Sequence, residues 1–214
     1  MKKNKSAVLI LLNYGIVVAL LLMIAIFSFT SKNFFRTSTM FTILKQVSIT
    51  GIVCIGQTMV MLTGGIDLSV GSVAGVSAVT AAIFLKSYNL PIPVTCILVL
   101  ILSLIYGLIS GFLAGIAGLV LLSRTSSGQP SAGSGYEMDA ITAVVLGGVS
   151  LNGGEGKLHM VVIGMLIMGV LTTGMIMCGI NDYVQQFVKG IVLILAVAYS
   201  EISKKIRSRM IVTE

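Results

Sequence analysis

Asp67 is the sole acidic residue among the first 136, and it lies in Thr63-Gly64-Gly65-Ile66-Asp67-Leu68-Ser69-Val70-Gly71, between two apolar stretches. A carboxylate at membrane depth is costly unless it is paired, solvated or bonded to free backbone, so its presence needs a reason. It either lines a polar path or, with Ser69 and Ser72, caps the helix that follows. The two roles are compatible. Gln57 and Thr58 precede this segment by less than two helical turns. They have the chemistry to bond a polar solute, and the plainer alternative is that they bond neighbouring helices together.

A second cluster, Gly147-Gly148-Val149-Ser150-Leu151-Asn152-Gly153-Gly154, can be laid over Gly64–Gly71. Each is preceded by an apolar run and followed by a helix with small residues. Paired glycine-interrupted segments in two halves of a membrane protein point to a transport path, because unwound backbone offers polar groups at depth. Such backbone is tolerated only where protein buries it or a watery cavity meets it. The candidate path residues are therefore Gln57 and Thr58 before the first break, Gly64, Gly65, Asp67 and Ser69 within it, and Gly147, Gly148 and Asn152 in the second.

Other chemistry is not indicated. Cys54, Cys96 and Cys178 are odd in number and far apart, and His159 stands alone, so neither a disulfide framework nor a metal site is expected. No nucleophile elbow, dinucleotide fingerprint or phosphate-cradling loop occurs, so no catalytic residue or cofactor is expected and the chain does not hydrolyse ATP by itself. Asp182, Gln185, Gln186 and Lys189 fall near one helical face. They have the chemistry to coordinate a solute or a proton, and the plainer reading is that Asp182 and Lys189 lie near the external interface, with Lys189 snorkelling towards the headgroups.

These residues are positioned by an unusually apolar chain. Of 214 residues 56% are hydrophobic and 10% charged, and the mean hydropathy is +1.06. Soluble domains carry about a quarter charged residues, so a soluble fold is excluded. Ser6–Ser31, Ser87–Ser123 and His159–Asn181 contain no Asp, Glu, Lys or Arg, and each is long enough for a span of roughly 20 residues. The expected fold is all-α: a single polytopic membrane domain over 1–214, with helices at 7–30, 46–63, 72–85, 94–122, 158–180 and 183–202. About six of these span, and Ala140–Gly156 is re-entrant. So little chain remains between apolar runs that no folded extramembrane domain is expected. Phe34, Phe35 and Phe41, in the polar stretch 31–45, are expected at the headgroups.

Helix 94–122 is longer than a bilayer requires, and within it Gly107, Gly111 and Gly115 form a flat strip for close helix packing. The net charge of +7 is concentrated at span ends, with Lys2, Lys3 and Lys5 at one terminus and Lys204, Lys205, Arg207 and Arg209 at the other. That pattern argues for two cytoplasmic termini and against nucleic acid as a partner.

The stretch Gly56-Gln57-Thr58-Met59-Val60-Met61-Leu62-Thr63-Gly64-Gly65-Ile66-Asp67-Leu68-Ser69-Val70-Gly71-Ser72 resembles the signature of the ribose-type permeases, the membrane subunits of bacterial ABC importers for monosaccharides. Ser110–Gly115, Gly135-Tyr136-Glu137-Met138-Asp139-Ala140, Gly147-Gly148 and Tyr183–Gly190 are similar to its late region. The resemblance implies a dimeric pore in the bacterial cytoplasmic membrane, made with a second copy or a paralogue. It also implies a separate ATPase subunit inside, an extracytoplasmic sugar-binding protein outside, and Gln57, Asp67 and Ser69 near the path. One departure is large. The early-type helix runs into the late-type helix at 106–111, so the middle of the family sequence, with the segment that docks on the ATPase, is missing. The rival expectations are a truncated or accessory membrane subunit without transport of its own, and an ion-coupled secondary transporter.

Overall fold

A computed structural model describes the backbone of residues 2–211 and the side chains of 15–203 and 205, apart from 130 and 132. Among the described residues there are only helices: α1 (Lys2–Thr30), α2 (Thr37–Leu62), α3 (Val70–Lys86), α4 (Ile92–Tyr106), α5 (Leu108–Thr125), α6 (Tyr136–Leu146), α7 (Leu158–Met177) and α8 (Asp182–Ile211), with a 3-10 turn at Pro130–Gly133 before α6. The chain is all-α, as its apolar composition requires. Among the described residues α2, α5, α7 and Asp182–Ser203 of α8 are long and apolar enough to cross a membrane, whereas Gly15–Thr30, α3 and α4 are apolar but shorter.

Helix boundaries differ from the sequence-based expectation in two informative places. The stretch expected as a polar connection before residue 46 is mostly helix, because after the turn at 31–36 nothing from Thr37 onward breaks the helix and Thr39 and Ile43 face inward. Phe34 is also not at the headgroups: it is buried and stacks on Phe27 with ring centroids 6.2 Å apart, while Phe35 and Phe41 are exposed.

The expected helix 94–122 is two helices. At Gly107 the backbone is extended (φ −179°, ψ 121°) and the chain turns back, so α4 and α5 form a hairpin with a one-residue connection. Side chains at 111 and 115 would meet Ser103 of α4, and one at 118 would meet Ala74 and Ser77 of α3. The small residues therefore let α5 lie against two neighbours at once, as close packing without a hydrophobic driving force demands. The Ser77 and Ser103 hydroxyls, 2.8 Å apart, join α3 to α4 beside it.

The remaining core is built the same way. Gly51 lies beside Met165 and Gly169 beside Val47, so α2 and α7 are antiparallel. Gly164 faces Ala143 and Gly147 faces Val161, so α6 and α7 are antiparallel too. Helix α6 has 11 residues, about 16 Å at 1.5 Å per residue, against a hydrocarbon thickness of about 30 Å. It is a half-helix, buried from Asp139 through Val145 among α2, α7 and α8.

A methyl group at 164 would collide with the backbone carbonyl of Ala143. Gly164→Ala is expected to destabilise the protein by about 1–3 kcal/mol, seen as a lower midpoint for thermal loss of monodisperse protein in detergent. Gly190→Ala, where nothing lies within 4 Å, is the matched control and should not lower the midpoint, since alanine is the better helix former.

Candidate functional site: two helix breaks in contact

Helix α2 ends at Leu62 because Gly64 adopts φ +84°, a conformation that costs glycine nothing. The Gly64 N–H donates to Met61 O at 3.0 Å and the Gly65 N–H to Val60 O at 3.1 Å. Helix α6 ends identically. Gly148 has φ +79°, its N–H donates to Val145 O at 2.8 Å, and the Val149 N–H donates to Val144 O at 3.2 Å. Both are Schellman caps, the glycine-dependent way of satisfying the last helical carbonyls. The structural repeat therefore pairs Gly64 with Gly148, one residue out of step with the sequence overlay of Gly64 on Gly147. Gly147 has a different role: its missing side chain makes room for the backbone of Val161.

The two breaks touch. The Gly154 N–H donates to the carbonyl of Leu62 at 2.9 Å, and Gly153, at φ +80°, lies so close that a Cβ there would stand 2.7 Å from the Gly64 nitrogen. Gly64 in turn faces the Asn152 carbonyl. One break thus supplies a donor to a carbonyl that the other leaves without an intrahelical partner.

Gln57, fully buried, secures the first break from inside. Oriented so that each atom meets its complement, its amide nitrogen donates to the Asp67 carbonyl at 2.9 Å and its oxygen accepts from the Asp67 N–H at 3.3 Å. The Asp67 carboxylate does not cap α3 from its N-cap position. Its Oδ1 accepts from both the N–H (2.8 Å) and the hydroxyl (2.6 Å) of Ser69, closing a turn ahead of the helix. Thr58 is buried, with its hydroxyl donating to Cys54 O at 2.6 Å within its own helix. Ser69, Gly148 and Asn152 are exposed, Gly65 and Asp67 are partly so, and the Asn152 N–H donates to the Ser150 hydroxyl at 3.2 Å.

Lys189 is where the sequence reading fails. Its ammonium does not snorkel; it donates to Asp139 Oδ2 at 2.8 Å in an ion pair joining α6 to α8, with the two side chains 16% and 4% exposed. Arg124 of α5 likewise donates to Gln46 Oε1 of α2 at 2.6 Å. The missed signal was Lys189, the one charge in the apolar stretch 183–200 of α8, and a carboxylate at the buried start of α6, since opposite charges in apolar helices find one another.

A family described as the permease component of branched-chain amino acid transport systems matches residues 39–110 and 102–197. The chain belongs to this permease family. Among individual relatives, it is 30% identical to the ribose import permease protein of Escherichia coli K12 over 291 positions, covering 84% of this chain and 91% of the relative. It is 28% identical to the corresponding protein of Bacillus subtilis 168 over 292 positions, covering 86% and 91%. It is 40% identical to the L-arabinose transport system permease protein of Escherichia coli K12 over 117 positions, covering 55% and 34%. No solved structure matches the chain significantly. Of the 291 aligned positions of the first relative, this chain, with 84% of its 214 residues, fills about 180, so about 111 have no counterpart. The two family matches overlap at 102–110, the stretch containing the Gly107 turn. The permease thus carries the early and late parts of the family sequence joined across a large internal gap.

Gln57→Leu keeps the volume but strips the Asp67 N–H and carbonyl of their partner. A group left unpaired in a buried site costs about 1–3 kcal/mol, so amide exchange across residues 63–69 should accelerate about tenfold or more by mass spectrometry. Unchanged exchange would show that the clamp does not hold the break.

Proposed function

We propose that this integral membrane protein is the permease subunit of an ABC importer for a monosaccharide of the ribose kind, and that solute passes beside the two helix breaks. The observation that carries this reading is their contact. Asp67 and Ser69 on one side and Asn152 on the other offer hydroxyl, amide and carboxylate groups suited to a polyhydroxylated solute, while Gln57, behind them, holds the Asp67 backbone in place. Gly64, Gly65 and Gly148 supply the unwound backbone between them, Gly147 seats the second break against α7, and Thr58 shapes the helix leading in. Polar backbone at two opposed helix ends suits a weak, transient passage.

Transport proceeds by alternating exposure of this path. Its energy comes from ATP hydrolysed on a separate subunit in the cytoplasm, and solute arrives from an extracytoplasmic sugar-binding protein. A second permease copy or a paralogue completes the pore, lipid surrounds it, and both termini face the cytoplasm of a bacterial inner membrane. Relatives named as ribose and arabinose permeases support the solute class. The stretch of about 111 positions without a counterpart favours a second reading, an accessory subunit that works only beside a full-length permease.

The test is uptake of labelled D-ribose by a host lacking its ribose permease but supplied with the matching ATPase and binding protein. Uptake restored by this chain alone, dependent on an intact ATPase and indifferent to a proton uncoupler while ATP is maintained, supports the importer. Verified membrane insertion without uptake supports the accessory subunit. Proton-dependent uptake abolished by Asp67→Asn would instead identify an ion-coupled transporter.

A further inference from the structure

Beyond Tyr136 at its start, which meets Gln46 of α2, half-helix α6 is held against α2 and α7 by smooth contacts. Gly164 of α7 packs on Ala143, Gly147 packs on Val161, and Cys54 of α2 reaches the Ala140 carbonyl at 3.8 Å. Interfaces of small residues permit close approach but carry little information about depth, because one small residue replaces another when a helix slides. A single polar pair fixes register where an apolar seam does not. Asp139 and Lys189 are such a pair. Their ion pair lies on the α6 side of α8, a helix whose apolar window is only 6% buried. The second carboxylate oxygen of Asp139 is buried without a partner, so removing Lys189 would leave the whole charge unmatched. Asp139 lies in the first turn of α6 and Gly147 caps its far end, so one short rod carries both the ion pair and the second break.

We propose that Asp139 and Lys189 are a positioning pair for transport: their ion pair sets the depth of α6 and thereby brings the Gly147–Gly154 break against Leu62–Gly64. Movement of the second break then requires α6 and α8 to move together or the pair to part. The inference rests on the breaks forming the solute path, but its geometric core can be read without any solute.

The experiment places Thr63→Cys and Asn152→Cys in the full chain, with Cys54, Cys96 and Cys178 changed to Ala, and measures bridging by a short bifunctional thiol reagent in membranes. A control version carries Gly51→Cys and Met165→Cys at the α2–α7 contact instead. Asp139→Asn or Lys189→Met should slow bridging across the breaks by about tenfold or more and leave the control pair unchanged. The exchange Asp139→Lys with Lys189→Asp should restore bridging to within about twofold. Parental bridging in the single variants, equal loss at the control pair, or no recovery on exchange would each overturn the proposal. If single variants fail to accumulate, the exchange variant decides: bridging at the parental rate supports the pair as the depth marker, and its loss or failure to accumulate refutes it. Since neither sugar nor ATPase enters the assay, failure here is distinct from failure of the transport reading.

Discussion

Backbone that leaves a helix between two apolar segments must still find hydrogen-bond partners for its free N–H and C=O groups, and this constraint organises the molecule. The chain meets it with two breaks that cap alike, Gly64 and Gly148 each turning the last carbonyls inward. It then places the breaks together, so that Gly154 serves Leu62, and it braces the first from inside with the Gln57 amide on Asp67. The remaining architecture brings the ends of α2 and α6 to one place and holds them there.

Close packing without hydrophobic drive explains how this is achieved. Glycines 111, 115 and 118 let α5 fit against α4 and α3, and Gly147 and Gly164 let α6 fit against α7. The same economy accommodates the large internal gap relative to full-length permeases. A turn of one residue at Gly107 folds the early part of the chain onto the late part, and the serine pair 77 and 103 joins the neighbouring helices. Where small residues leave depth unspecified, the buried pair of Asp139 and Lys189 supplies it.

Much of this was legible in the residues. Composition required a helical membrane protein, and the glycine clusters with Asp67 marked the breaks, because helix interruption and an isolated carboxylate are local signals. The turn at Gly107 was not legible: an unbroken apolar run with regularly spaced glycines reads equally well as one long helix or a hairpin, and only tertiary contact with Ser103 decides. The one-residue offset between the two breaks was hidden because overlaying glycines ignores which of them takes positive φ. The ion pair is not legible because Asp139 and Lys189 are 50 residues apart, and a lysine with no partner near it in sequence reads as interfacial.

The central claim is that solute moves at the junction of the breaks. Its most direct test is uptake of labelled D-ribose, in the host supplied with ATPase and binding protein, by a chain whose Thr63→Cys and Asn152→Cys thiols are joined by a reducible bridge. Measured against the same double variant kept reduced, which sets the level left without the Asn152 amide, uptake should fall to background when bridging is complete and return to that level on reduction. Undiminished uptake through the fully bridged protein would contradict the account.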